Sequence, residues 1–185
     1  TTELINLNRC LRMKRNLAVF ANHIAEAAQI KWKVTPNEKA GGGKVIILLK
    51  PYLELPALHE SLVDAAKEKG NAEIDFLFCV PPSSVLKNTP QKKSDIGDFL
   101  SRTGYQVWDG VDDCTRKDFP RSKNQFRIVQ FASCRGLEGW TVVLHNADQY
   151  WEECRKEKNL IGLTEEERMA FGDIEDVSEK YAWHR

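Results

Sequence analysis

The chain has 185 residues, 42% of them hydrophobic, and its 27 basic side chains balance 27 acidic ones. That length and apolar content suffice for a buried core, most economically one domain over residues 1–185, and they exclude a disordered tail. A formal net charge of zero excludes a global basic field, so any nucleic-acid site has to be local.

Residues 4–7 read as a short strand that feeds a helix over 15–30, whose apolar positions 17, 20, 21, 24, 25 and 28 form one stripe. A polar loop runs from Thr35 through Gly41, Gly42 and Gly43. The apolar run over residues 44–49 then reads as a strand buried on both faces. Pro56 in a first helical turn and Gly70 past the end bracket a helix carrying Leu58, Leu62 and Ala65. The strand over 75–80 halts at Pro81 and Pro82. Ser94 reads as the cap of a helix with Ile96, Phe99 and Leu100 on its apolar side, closed by Gly104. Residues 105–108 form a strand, 109–124 a charged loop, 126–129 and 141–145 two more strands, and 147–158 a helix. Thr164 with Glu167 three residues on makes a capping box for a last short helix ending at Gly172. Strands alternating with helices predict an α/β fold with a mostly parallel sheet and helices on both faces.

The five cysteines, Cys10, Cys79, Cys114, Cys134 and Cys154, show no CxxC pairing and no close spacing to the four histidines. No metal site is expected from them, and their odd count fits a reducing compartment. No apolar stretch approaches the roughly 18 residues of a membrane span and no signal peptide opens the chain. The expected location is the cytoplasm, or the nucleus if the source is eukaryotic, with no membrane partner. Residue 1 is Thr, and the last residues before Arg185 carry no helix stop, so a piece of a longer protein is expected.

Gly41, Gly42, Gly43 and Lys44 do not make a phosphate loop, because a Walker A loop follows a strand, opens a helix and ends Gly-Lys-Ser/Thr. Here the glycines precede a strand-like run and Val45 follows the lysine, which reads as a flexible loop. The acidic turn from Trp108 to Asp113 lacks calcium-loop spacing and reads as solvated. Trp32, Tyr150, Trp151 and Trp183 read as core or rim residues rather than base-stacking platforms.

The most informative segment is Gln130-Phe131-Ala132-Ser133-Cys134-Arg135-Gly136-Leu137-Glu138, set between two strand-like runs. A strand that delivers a small-residue turn ending Arg-Gly-Leu-Glu presents polar groups at the carboxyl edge of a parallel sheet, with Gly136 allowing close backbone approach and Glu138 adding a carboxylate at that rim. It resembles motif V of superfamily 1 helicases of the UvrD type, which reads Lys-Gly-Leu-Glu after a strand. Leu7, Arg12, Leu17, Ala21 and Asn22 resemble motif IV of the same family in order and spacing. The sequence departs from the pattern at Ala132, where histidine is usual, and at Arg135, where lysine is usual. The likeness spans residues 4–143, with its motif content at the two ends.

The resemblance implies a RecA-like second motor domain, of the P-loop NTPase type but without Walker A. It implies that Arg12 meets the γ-phosphate of ATP as the catalytic arginine, and that Gly136 and Glu138 join it in binding the nucleotide. Ser133 and Arg135 would approach single-stranded DNA, or RNA. The partner implied is an N-terminal motor domain of the same polypeptide, which would hold Mg²⁺ and the Walker lysine. Motif VI is expected shortly after Arg185. The alternatives are a non-catalytic RecA-like module that binds a partner or nucleic acid, and an unrelated α/β nucleotide enzyme.

Overall fold

The run Phe76-Leu77-Phe78-Cys79-Val80 has no polar alternation, the pattern of a strand covered on both faces, and it forms β1 (Phe76–Val80), every residue of which is buried. The structure, a computed structural model, describes residues 10–27, 33–87 and 91–160, with side chains described to Cys154. The helices are α1 (Arg15–Ala27), α2 (Pro56–Glu68), α3 (Asp95–Arg102) and α4 (Ala147–Leu160). Two residue pairs, β2 (Val85–Leu86) and β3 (Lys93–Ser94), make a small antiparallel ladder. The main sheet adds β4 (Gln106–Asp109), β5 (Gln125–Gln130) and β6 (Thr141–Leu144) in the order β4-β5-β1-β6, and all its pairs are parallel. The protein is therefore α/β with an all-parallel four-stranded sheet. No helix among the described residues is long and apolar enough to cross a membrane.

The chain divides into two compact units, one of Leu48–Cys154 and one of Thr1–Ile47 with Arg155–Arg185. In the first, side chains alternate along β1, so Phe76, Phe78 and Val80 face one way and Leu77 and Cys79 the other. The first set meets Phe126 and Ile128 of β5, Val63 and Ala66 of α2, and Ile96 and Leu100 of α3 in the main core. Both helices thus cover this face. On the second face Leu77, Cys79 and Val129 form a smaller cluster beneath Trp108, Phe131 and Cys134. Tyr150 of α4 stacks on Phe131 at 4.5 Å between ring centroids, while Val142 and Leu144 of β6 remain exposed.

The helix signals act as the sequence suggests. Pro56 opens α2, and beyond its end the Asn71 amide returns to the Ala66 carbonyl across Gly70, whose φ is 78°. Ser94 caps α3 by accepting from the Gly97 amide at 3.0 Å, and Asp95 and Asp98 place negative charge at the positive end of the helix dipole. The expected solvated turn after β4 is only partly so, because Val111 enters the core and the Asp112 carboxylate accepts from the amides of Cys114 and Thr115, each at 2.9 Å.

In the other unit the glycine run acts as a helix cap. The amides of Arg15 and Asn16, which have no partner within α1, donate to the carbonyls of Ala40 and Gly42 at 2.8 and 3.1 Å, and Asn16 Nδ2 reaches the Gly43 carbonyl at 3.0 Å. A phosphate loop directs amides inward, whereas this loop directs carbonyls at a helix. Asn22 bonds the Val34 backbone both ways, at 2.9 and 3.0 Å. The helix expected to reach residue 30 is described to Ala27. Residues 4–7 and 164–172, expected as strand and helix, lie outside the described residues.

One strand expectation is overturned. Residues 44–49 have no ladder partner among the described residues, and Ile47 and Leu49 are 74% and 97% exposed rather than buried. An apolar run of that length carries no signal of its own for pairing, which depends on what lies beside it in space.

His59 of α2 gives the core a pH dependence. It is buried, its Nδ1 lies 2.8 Å from the Tyr52 hydroxyl, and Phe78, Tyr105 and Phe126 surround its ring. Burial lowers its pKa below the ordinary 6.5. The native state therefore binds fewer protons than the unfolded chain, so this contribution is fully present above 6.5 and is lost as pH falls toward the lower folded value. Urea unfolding between about pH 7.5 and about pH 5.5 is expected to show a loss of at most ~1.4 kcal/mol per pH unit from this group, and His59→Gln is expected to flatten the slope.

Candidate functional site

All four parallel strands end at one edge, at Asp109, Gln130, Val80 and Leu144, and the polar groups that follow them collect there. Asp109 Oδ2 accepts from the Ser94 amide at 2.7 Å and its hydroxyl at 2.9 Å. Burial pushes the Asp109 carboxyl up, and the bonds from Ser94 only partly offset this. His145, just past β6, is buried, donates its amide to the Cys79 carbonyl at 2.9 Å and sets Nε2 at 3.3 Å from Asp95 Oδ2. Burial would raise Asp95, but His145, the Ile96 amide and Ser84 outweigh it and hold its carboxyl below the ordinary range. The rim is thus a locked network that joins α3 to three strand ends. Among the described residues no group of three or more His, Cys, Asp or Glu could hold a metal ion.

The motif-like segment starts at this rim and leaves it. β5 ends beside Val80 and β6 begins beside Phe76, so residues 131–140 return from the carboxyl edge to the amino edge while passing β1. Ten residues span up to about 33 Å, ample against a five-residue strand of about 17 Å, so the crossing needs no helix. Phe131 and Cys134 pack on Leu77, Cys79 and Val129, which places the crossing on the second face. Phe131–Ser133 forms one tight turn at the rim, where Ser133 Oγ accepts from Arg116 at 2.8 Å. The same guanidinium pairs with Asp113 at 2.6 Å. Gly136 has φ 79° with open space where a Cβ would stand, so backbone conformation, not crowding, calls for glycine there. Gly139 is the crowded one, its missing Cβ hemmed in by the carbonyls of Asp75 and Thr141 at 3.0 Å and by Leu77.

The expected site residues are therefore spread out. Ser133 lies at the carboxyl rim, and exposed Arg135 and Gly136 follow on the descent. The Glu138 carbonyl accepts from Arg127 at 2.6 Å, and the same guanidinium bonds the Ile74 carbonyl, just before β1. The Glu138 backbone thus sits toward the amino edge, so Glu138 and Ser133 do not share one rim as the sequence suggested. Arg12 belongs to the other unit, exposed in the turn before α1.

Arg127, absent from the sequence candidates, holds this crossing to the sheet. Arg127→Met keeps much of the stem but leaves two carbonyls without their donor, at an expected cost of about 1–3 kcal/mol. Hydrogen exchange read by mass spectrometry should show faster exchange in residues 134–140 with β1 still protected. A charge inside the apolar run of β5 was the available signal. For Asp109 and His145 it was a polar residue directly after an apolar run. A recess of about 350 Å³ lined by Lys67, Glu73, Gly104, Tyr105, Gln106 and Asn124 lies at the opposite, amino edge, where Lys67 and Glu73 pair at 2.9 Å. Comparison of the chain with protein-family models, with curated proteins and with solved structures finds no match.

Proposed function

We propose that this chain is the second motor domain of an ATP-dependent superfamily 1 helicase, a RecA-like sheet without a Walker A loop, working in the cytoplasm or, in a eukaryote, the nucleus. The observation that carries the reading is the segment from Gln130 to Glu138. It leaves the end of a parallel strand, turns at left-handed Gly136, and matches motif V in its Gly-Leu-Glu core. Arg12, exposed directly before the helix that holds Ala21 and Asn22, supports it from the motif IV side.

In this reading ATP is held between two motor domains, and this chain supplies one wall. Arg12 meets the γ-phosphate, where a planar, always-charged donor suits the charge that develops during phosphoryl transfer. The resemblance gives Gly136 and Glu138 to the nucleotide and Ser133 and Arg135 to the single strand, DNA or RNA; Glu138, toward the amino edge, is the one whose place in the sheet does not fit that role. Mg²⁺ falls to the first domain, because Asp95, Asp109 and Asp112 here are already committed to amides, hydroxyls and His145. Closing the walls on ATP and reopening them after hydrolysis shifts the grip on the strand, which is translocation and, at a duplex, unwinding.

The purified chain is expected to turn over no ATP, with or without single-stranded DNA. Joined to its first motor domain in one polypeptide, it is expected to show strand-stimulated turnover that Arg12→Ala abolishes. Turnover by the chain alone, lost on Arg12→Ala, would sink the shared-cleft reading, and a joined polypeptide without turnover would favour the non-catalytic module.

A further inference from the structure

Two cysteines 55 positions apart in sequence share one cluster on the second face of the sheet. Cys79 lies in β1 and is buried, whereas Cys134, next after Ser133 in the crossing segment, is partly exposed. Cys134 packs against the cluster that contains Cys79. Its S–H donates to the Phe131 carbonyl at 3.0 Å, which ties the Cys134 side chain to the start of the crossing segment.

We propose that Cys134 and Cys79 form a peroxide-responsive pair, with Cys134 the site of oxidation and Cys79 its resolving thiol. Hydrogen peroxide reaches the exposed side of Cys134, whose thiolate attacks one peroxide oxygen. The S–O bond forms, the O–O bond breaks, and hydroxide leaves, giving a sulfenic acid. The Cys79 sulfur then attacks the Cys134 sulfur, the S–O bond breaks, and the departing oxygen leaves as water with the Cys79 proton. In sum two thiols give two electrons and two protons to one peroxide, which becomes two waters. Burial first, and Cys134 second, push the Cys79 thiol up to about 12, so Cys79 is a poor first target and a slow second nucleophile. The burial of Cys79 against the partial exposure of Cys134 fixes the order of events, and the raised Cys79 thiol makes closure faster at higher pH. The bond would staple the crossing segment to the central strand between Ser133 and Arg135, whatever the sheet edge serves.

The folded chain is treated with hydrogen peroxide, the remaining thiols are alkylated, and the unreduced digest is read by mass spectrometry. The expected result is the loss of two hydrogen masses, a linked peptide pair joining Cys79 to Cys134, and loss of alkylation at both. Cys134→Ser, at a partly exposed position, is expected to leave Cys79 alkylatable after denaturation. Cys79→Ala is expected to let Cys134 accumulate as a dimedone-labelled sulfenic acid and then a sulfinic acid. Accumulation of oxidised Cys134 in the unsubstituted chain while Cys79 stays a free thiol would overturn the proposal. So would oxidation of Cys79 in Cys134→Ser at the unsubstituted rate.

Discussion

Phe126→Ala is expected to cost the fold about 3–5 kcal/mol, a large share of the roughly 5–15 kcal/mol that holds a domain together. Phe126 is completely buried at the middle of the main core. Its ring meets Phe76 at 5.3 Å, Phe78 at 5.9 Å, and His59 and Tyr105 each at 5.2 Å between centroids. Truncation removes the apolar burial, the edge-to-face contacts and the packing of α2 on the sheet together, and a cavity walled by rings on a parallel sheet collapses poorly. Urea unfolding should show a lower midpoint with an unchanged slope. Leu49→Ala, at a position 97% exposed, should move the midpoint by less than about 0.5 kcal/mol. Equal effects at the two positions would contradict the core described above.

What the sequence made legible follows the range of the interaction involved. Ser94 was readable as a cap because its partner, the Gly97 amide, is three residues away, and the continuous apolar run of β1 is local too. The glycines at 41–43 were correctly set apart from phosphate loops, yet their capping of α1 was hidden, since the amides they satisfy lie more than twenty residues earlier. Strand order is the least local property. Nothing in residues 125–144 says that β6 pairs with β1 and not with β5, and that one fact sends the segment after Gln130 across the sheet. Hence Glu138 lies away from the rim, and hence Arg127, a charge inside the apolar run of β5, acquires its two carbonyl partners. Residues 44–49 failed for the same reason, because an extended apolar run becomes a strand only where a neighbour offers a ladder.

On the shared-cleft proposal, Arg12→Lys in a polypeptide that joins this chain to a first motor domain is expected to lower ATP turnover by about 100-fold or more while weakening ATP binding only a few-fold. Loss of an arginine finger costs on the order of 10³-fold or more in phosphoryl transfer, and lysine recovers part of that by keeping the positive charge. It does not recover the planar fork, which holds two phosphate oxygens at once and matters most when charge develops in the transition state. The loss should therefore fall on kcat more than on KM. Affinity for single-stranded DNA without nucleotide should be unchanged, because Arg12 is assigned to the nucleotide and not to the strand.

The most direct test of the proposed shared cleft sets strand-stimulated ATPase beside single-strand binding for a polypeptide that joins this chain to a first motor domain and for its Arg12→Lys variant. The account predicts a collapsed turnover with intact strand binding. An unchanged turnover with weakened strand binding would contradict it and move Arg12 from the ATP cleft to the nucleic-acid track.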